Sequence, residues 1–118
     1  MSTRATVHFE EGSHTSAIIY RHCDGYPDGL GNDLEAFLTE LGENVKDTRF
    51  GDPSYLAAKW VVWDAMQMHK YAAELYHDDH ALNFLSVGIV SEDPPDIEWR
   101  YIVRCNGGRP RIECQEIA

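Results

Sequence analysis

The sequence predicts an α+β domain in which a mostly antiparallel sheet of about five strands carries two helices packed on one face. Two observations support this fold class. The predicted elements follow the order ββααβββ, without the strand-helix alternation of parallel α/β folds. A chain of 118 residues, 43% of them apolar, is also long enough to bury one core without disulfides or metals. We therefore expect residues 1–118 to form a single domain.

Two strands open the chain. From Ala5 to Glu11 apolar and polar side chains alternate, which indicates a strand with one buried face. Residues 16–22 form a second run that is rich in β-branched and aromatic side chains. Gly12 and Ser13 lie between the two runs and are typical turn residues, so we expect an antiparallel hairpin.

The first helix is predicted from residue 32 to residue 42. Within NDLEAFLTELG the apolar side chains recur at i, i+3, i+4 and i+7. Asn32 is the expected N-cap, Glu35 completes a capping box, and Gly42 is the expected stop. Residues 43–53 lack periodicity and contain several breakers, so they are predicted to form a loop.

The second helix is predicted over residues 55–76. One face of its helical wheel carries Ala57, Val61, Ala65, Met68, Ala72 and Leu75. Trp63 falls near the middle of the opposite, polar face, with Trp60 and Tyr71 beside it. Because wide aromatic side chains are costly to leave in water, we expect these three to contact a second layer, a protein partner or a second copy of the chain.

Three strands complete the predicted sheet, over residues 82–90, 97–105 and 109–117. The NGG triplet that begins at Asn106 is a strong hairpin signal, and its two-residue loop is centred either on the first two or on the last two of these residues. In neither register does Cys105 face Cys114, so no disulfide is expected across this hairpin.

The same hairpin contains four of the ten basic residues, Arg100, Arg104, Arg109 and Arg111. One register places Arg104 opposite Arg109 and the other places it opposite Arg111, so like charges pair in both. These arginines need anionic neighbours. We expect internal carboxylates, such as Glu98 and Glu116, rather than a ligand.

The composition is acidic. Twenty Asp and Glu against ten Lys and Arg give a net charge of −10. This charge opposes binding to nucleic-acid phosphates or to an anionic membrane, and it favours a basic partner. The acids are scattered in ones and twos, as on an ordinary solvated surface. A second interpretation is that they mimic the charge of nucleic acid and occupy a basic groove on another protein.

No targeting or cofactor motif is evident in the sequence. It contains neither an apolar run long enough to span a membrane nor the apolar region of a signal peptide, so a cytoplasmic location is predicted. Cysteines at 23, 105 and 114 are odd in number and lack CxxC spacing, which favours reduced thiols. Glycine-rich phosphate loops, zinc motifs and the nucleophile-elbow motif do not occur, so no cofactor is expected.

The stretch YRHCDGYPDGLG, which starts at Tyr20, joins the second strand to the first helix. Free N–H groups at the helix start, together with Arg21 and His22, would suit a phosphate or a carboxylate. Tyr20 and Tyr26 are further candidates for binding such a ligand. Asp24 could orient His22 as a general base. The same residues also suit a structural corner, because Asp-Gly and Tyr-Pro favour turns and glycine accepts positive φ.

A second polar cluster, YHDDHA, lies at the end of the second predicted helix and contains His77, Asp78, Asp79 and His80. Two histidines three residues apart on a helix can bind the same metal ion, and carboxylates can complete its coordination shell. A helix end in water, where histidines suit the negative end of the dipole, is the favoured alternative. No metal is therefore predicted, although His77 and His80 are the candidates for one.

The start MSTRATVHF and the run IIYRHCDGYPDGLG resemble a group of small, largely uncharacterised bacterial, phage and prophage proteins. The matching positions are Ser2, Thr3, Arg4, Tyr20, Arg21, His22, Asp24, Gly25, Tyr26 and Pro27. Cys23 stands where an aromatic or small polar residue is expected in those proteins. The resemblance covers roughly the first third of the chain and implies a phage-like or mobile-element origin, without an activity to transfer.

The sequence thus predicts a small non-enzymatic, phage- or prophage-associated protein that binds another protein or itself. Trp60, Trp63 and Tyr71 are the expected contacts, and an acidic inhibitor of a host-defence or nucleic-acid-binding protein would suit the charge. The alternative is a ligand-binding protein or hydrolase that uses the Tyr20–Tyr26 stretch on a phosphate or nucleotide-like ligand.

Overall fold

A computed structural model describes residues 2–77 and 80–118 and confirms the predicted α+β class. Its elements are β1 (Ala5–Glu11), β2 (His14–Arg21), α1 (Asn32–Asn44), α2 (Pro53–Tyr76), β3 (Val87–Val90), β4 (Trp99–Arg104) and β5 (Arg111–Glu116). A π-helical turn, Pro27–Gly31, runs directly into α1, and a 3-10 turn, Ala81–Phe84, precedes β3.

The five strands form one mixed sheet in the order β3-β2-β1-β4-β5. The pairs β1–β2, β2–β3 and β4–β5 are antiparallel, and β1–β4 is parallel. The sheet is therefore mostly antiparallel, as expected. The parallel pair arises because residues 91–98 lead the chain from the β3 edge to the far side of β1, instead of returning it beside β3.

The hydrophobic core lies between the sheet and the two helices, which share one face. Alternate residues of β1 provide its floor, and Phe9 is completely buried. From the helices come Leu34, Phe37, Leu38, Leu41, Leu56 and Trp60, each at most 6% exposed. Trp60 packs edge-on against Phe37, with ring centroids 5.4 Å apart. Apolar burial of this kind is the main source of stability in a single small domain.

The opposite face of the sheet is polar, and the segment 91–98 crosses and partly covers it. Asp93 lies over β1, where its Oδ1 accepts a hydrogen bond from the Thr6 hydroxyl at 2.7 Å and lies 2.7 Å from His8 Nε2. Its Oδ2 accepts from Arg100 Nε at 2.6 Å. Thr6 is fully buried as a result. Burial opposes ionisation of Asp93, but these hydrogen bonds outweigh it and hold the pKa of Asp93 below its usual value.

The ends of α1 differ from the prediction. Asn32 is not an N-cap, because the π-helical turn continues into the helix and Gly31 already has helical dihedral angles. The Asn32 side chain instead donates to the Asp28 carbonyl at 3.1 Å. Gly42 does not end the helix, which continues to Asn44 and places the glycine against the Phe50 ring.

The predicted core face of α2 is only partly correct. Ala57 and Ala72 are buried, but Leu75 is 58% exposed. The buried row instead contains Leu56, Trp60 and Asp64, which follow one another at i, i+4 and i+8. The predicted strand at 82–90 is also correct only in its second half, because residues 81–84 form the 3-10 turn.

The last hairpin adopts the register in which Arg104 faces Arg111, so its loop is centred on the last two residues of the NGG triplet. Arg104 pairs with Glu113 and lies 3.2 Å from Glu10, so internal carboxylates balance this side chain, although not the two that were expected. All three cysteines are free, as predicted. None of the helices in the described residues is long and apolar enough to cross a membrane.

Candidate functional site

The turn after β2 is a tightly packed corner. Asp24 adopts a positive φ of 56°, which brings Gly25 under the N-terminal strand. The Gly25 N–H donates to the Thr3 carbonyl at 2.9 Å, and its carbonyl accepts from the buried Tyr101 hydroxyl at 2.7 Å. A Cβ at residue 25 would lie 2.7 Å from the Ala5 Cβ. Glycine is therefore required here for close packing, which supports the structural interpretation of this stretch.

The start of α1 does not offer the free N–H groups expected for an anion site. The Leu30 N–H donates to the Asp24 carbonyl at 2.8 Å, and the Asn32 N–H points to the carbonyls of Gly29 and Pro27. The π-helical turn thus uses donors that a helix N-terminus would otherwise present to a ligand. The expectation of a phosphate cradle at this end is wrong in that respect.

His22 and Asp24 do not form the predicted pair. His22 is exposed, and its Nδ1 lies 3.0 Å from the Tyr20 hydroxyl. Asp24 instead accepts a hydrogen bond from the Tyr26 hydroxyl at 3.2 Å. The two side chains separate because Asp24 has a left-handed backbone conformation, which ends the strand alternation that would have put them on one face.

Arg21 is a charged residue of this stretch that is nevertheless buried, at 6% exposed. Its Nη1 lies 2.8 Å from Oδ2 of Asp33 at the start of α1 and 3.5 Å from Oδ1 of Asp64 on α2. Asp64 is 2% exposed. Burial raises the pKa of Asp64 and the Asp33 charge adds to this, whereas Arg21 and Ser86 act in the opposite direction. This ion cluster joins the sheet to both helices.

A pocket of about 540 Å³ opens beside this cluster, and we call it the Arg21 pocket. Its walls are formed by Ser2, Arg21, Cys23, Asp24, Asp33, Asp64, Gln67, Met68 and Tyr71. The structure thus brings Arg21 and Asp24 together around one pocket, with the predicted interface residue Tyr71. His22 and Tyr20 line a different depression, next to β3.

A second concavity, of about 480 Å³, lies on the outer surface between the helices, and we call it the α1–α2 groove. It is lined by Phe37, Glu40, Leu41, Val45, Tyr55, Ala58, Lys59, Val62, Trp63 and Met66. Val62 and Met66 are 59% and 61% exposed. The Arg49 guanidinium lies 4.2 Å from the centre of the Tyr55 ring and holds one end of the groove in place.

The three aromatic residues predicted to form one interface occupy different environments. Trp60 is completely buried, so its prediction as a surface contact is wrong. Trp63 is half-buried; it stacks on Trp60 with centroids 5.5 Å apart and lines the groove. Tyr71 is exposed and lines the Arg21 pocket. Trp60 therefore supports the groove from below, and only Trp63 contributes directly to it.

Sequence reasoning missed Tyr55, Val62 and Met66. These residues recur at i, i+7 and i+11 and form a second apolar stripe on α2, so the signal was present in the spacing. The aromatic residues at 60 and 63 occupy a neighbouring part of the wheel and form a more prominent apolar feature than this stripe.

Every arginine of the chain is paired with a carboxylate. The cationic members of these ion pairs are Arg4, Arg21, Arg49, Arg100, Arg104, Arg109 and Arg111. Arg109, for example, connects the last hairpin to α1 through Glu35 at 2.8 Å. The guanidinium groups are thus balanced internally, whereas Asp and Glu exceed Lys and Arg by ten over the whole chain. The exterior therefore has a negative character.

The candidate metal residues do not form a site within residues 2–77 and 80–118, where no group of three or more His, Cys, Asp or Glu is placed to hold an ion. His77 is the left-handed C-cap of α2 and is exposed. His80 Nδ1 accepts a hydrogen bond from the Leu82 N–H at 3.3 Å. Asp78 and Asp79 lie outside the described residues.

The chain matches no protein family model, no curated protein and no solved structure. The resemblance to phage and prophage proteins accordingly stays a prediction.

Proposed function

We propose that the protein is not an enzyme and acts by binding another protein through the α1–α2 groove. The observation that carries this proposal is the exposure of Val62 and Met66 beside a half-buried Trp63. Contiguous exposed apolar surface in a concavity is typical of an interaction site, and tryptophan is enriched among residues that dominate binding energy. The groove suits an amphipathic segment, such as a helix that presents an apolar face.

The charge of the protein indicates that the partner is basic. The net charge is −10, and all arginines are neutralised by internal carboxylates. Glu40 lies on the groove wall, and Glu43 is exposed one turn further along α1. Two copies of this chain would repel each other, whereas a cationic partner would be attracted and guided to the groove. A heterologous partner is therefore favoured over a homodimer.

The proposed setting is a phage- or prophage-associated inhibitor of a basic host protein, such as a defence or nucleic-acid-binding protein. The resemblance at the N-terminus and the acidic exterior support this setting. Three free cysteines suit the reducing conditions of the cytoplasm, which is the proposed location.

A phosphate or nucleotide-like ligand at Arg21 is less favourable. Asp24, Asp33 and Asp64 line the same pocket, so one guanidinium is opposed by three carboxyl groups. An anion placed there would be repelled unless those groups were protonated. The absence of a His22–Asp24 pair also removes the general base on which the hydrolase alternative depended.

The proposal can be tested by affinity capture from lysate of the source cells, followed by titration of the purified captured protein. A Val62→Glu/Met66→Glu double variant should lose the interaction, because it places charge in the apolar groove. A matched control, Ile89→Glu, changes a side chain that is 79% exposed at the far edge of the sheet and should bind normally. Binding to the wild type should shift the tryptophan emission, since Trp63 lines the groove.

Equal binding by the wild type and the groove variant, or equal loss in the Ile89 control, would contradict the proposal. Binding that strengthens with added NaCl would contradict the basic partner, because screening weakens attraction between opposite charges.

A further inference from the structure

The Arg21 pocket contains more acidic than basic groups. Among the described residues that line it, Arg21 is the single cationic side chain, and it is already 2.8 Å from Asp33 Oδ2. Asp64 Oδ1 lies 3.5 Å from the same nitrogen, and Asp24 contributes a third carboxyl group to the wall. One guanidinium cannot balance three carboxylates, so the pocket has a negative potential when they are ionised.

Asp64 provides a second and independent observation. Its side chain is only 3% exposed, and its Oδ2 is buried without a hydrogen bond of good geometry among the described residues, although the Ser86 hydroxyl is near enough to help lower the pKa of this carboxyl group. A buried carboxylate oxygen that accepts no hydrogen bond destabilises the folded state, so native structures rarely leave one unused. Since Asp64 also lines the pocket, a donor that enters the pocket comes to lie beside this residue.

Arg21 also has a buried polar atom without a hydrogen-bond partner among the described residues. Its Nε is buried and donates to no described residue, although Nη1 is engaged in the ion pairs. An occupant that carries an acceptor atom next to a cationic group would offer partners to both residues, once a small side-chain movement opens the buried Arg21 Nε and Asp64 Oδ2 to the pocket. A peptide arginine or lysine, with its backbone carbonyl, has this combination, and so does a polyamine derivative that carries an amide.

The outer part of the pocket also suits a cation. Tyr71 is 47% exposed and lines the pocket, and the face of an aromatic ring attracts cations. Asp24 is close enough to Tyr71 that its charge adds to the rise in the pKa of that hydroxyl, after the larger effects of Tyr76 and burial. An aromatic ring and a carboxylate thus face the same space.

We propose that the Arg21 pocket binds one cationic group, an ammonium or a guanidinium, through Asp64 and Asp24 with the Tyr71 ring beside it. This site is separate from the α1–α2 groove and does not depend on it. The cation is either a free small molecule or a basic side chain of a protein partner, and both present the same chemistry to the pocket.

Titrations followed by ¹H–¹⁵N NMR test this proposal on the full chain. The probes are agmatine, as a free guanidinium compound, and the blocked peptide acetyl-Gly-Arg-Gly-amide. Butylurea and the peptide with Gln in place of Arg are the uncharged controls. We expect saturable shifts in the amides of Asp24, Asp64, Gln67 and Tyr71 with a charged probe. Binding of agmatine alone would identify a free cation, and binding of the peptide would identify a basic side chain.

Two variants make the assignment specific. Asp64→Asn should weaken binding by about tenfold or more, as expected when a hydrogen bond to a charged group is lost. Because Asp64 is buried against Arg21 and its replacement also changes stability, Asp24→Asn provides an exposed second variant that should weaken binding while the melting temperature stays unchanged. Glu40→Gln, on the groove, is the matched control and should bind like the wild type.

The proposal is overturned if neither charged probe causes saturable shifts at millimolar concentration, or if the uncharged controls cause the same shifts. It is also overturned if both aspartate variants bind as tightly as the wild type. The Val62→Glu/Met66→Glu variant should retain cation binding, so failure of the groove proposal and failure of this one are distinguishable.

Discussion

At the scale of single residues, Asp93 shows how one side chain can hold a long connection in place. It lies in the segment that crosses the polar face of the sheet, and it receives hydrogen bonds from Thr6 and Arg100 while contacting His8. No local sequence pattern predicts this role of Asp93, because its partners on β1 lie more than eighty residues earlier in the chain. The same limit explains why Arg21 was predicted as a candidate site residue while its partner Asp64 was not.

Replacing Asp93 by Asn should lower the free energy of unfolding at pH 7 by about 1–3 kcal/mol, because charge-assisted hydrogen bonds are lost. Since the pKa of Asp93 is lower in the folded state, its contribution is present above the unfolded pKa and disappears as the pH falls through the folded value. The difference between wild type and variant should therefore shrink on acidification. Urea unfolding at several pH values measures it.

The neighbouring Glu92 is exposed, so Glu92→Gln is a matched control that should leave stability within about 0.5 kcal/mol. An Asp93→Asn protein as stable as the wild type at pH 7 would show that the crossing segment is held by something else.

At the scale of elements, strands and helices were predictable where the apolar residues followed a single period, either that of a strand or that of a helix. The alternation in β1 gave its bounds correctly, and the i, i+3, i+4 pattern gave the α1 residues that are buried. For α2 the wheel was ambiguous, because apolar residues occur nearly all round it. Tertiary contacts then decided which row faces the sheet, and that row includes Asp64 because Arg21 lies opposite it. The candidate groove was therefore only partly predictable.

The corner between β2 and α1 leads to a prediction about glycine. Gly25→Ala should destabilise the protein by about 1–3 kcal/mol, because the new methyl group would collide with the Ala5 Cβ and the Thr3 carbonyl. Gly88→Ala, on β3, is the control, since a Cβ there meets nothing within 4 Å. Thermal unfolding of both variants provides the comparison. Equal melting temperatures for the two variants would mean that the corner can open without loss of stability.

At the scale of the whole molecule, the excess of acid is the dominant property. Exposed ion pairs are each worth about 0–1 kcal/mol, so the arginine pairs add little stability individually. Repulsion among the unbalanced carboxylates acts over longer distances and opposes the compact state. The net charge was predictable from composition alone, whereas the pairing of every arginine depends on the fold.

Added NaCl should therefore stabilise the protein. Raising NaCl from low concentration to about 0.5 M should increase the free energy of unfolding by about 1 kcal/mol and the melting temperature by roughly 4 °C, because the Debye length falls below the spacing of surface charges. A variant with Asp28→Asn, Glu40→Gln and Glu43→Gln removes three negative charges and should respond less. A melting temperature that falls with salt would show that the ion pairs outweigh the repulsion.

The parallel pairing of β1 with β4 has a consequence for synthesis. The hairpin of β1 and β2 can form early, but the other edge of β1 receives its partner only when residues 99–104 have been made. Until then a nascent chain presents the open edge of its central strand, which is a template for pairing between neighbouring chains. The sheet therefore closes late during translation, and a ribosome-bound chain that stops before β4 should be the form that needs chaperone protection.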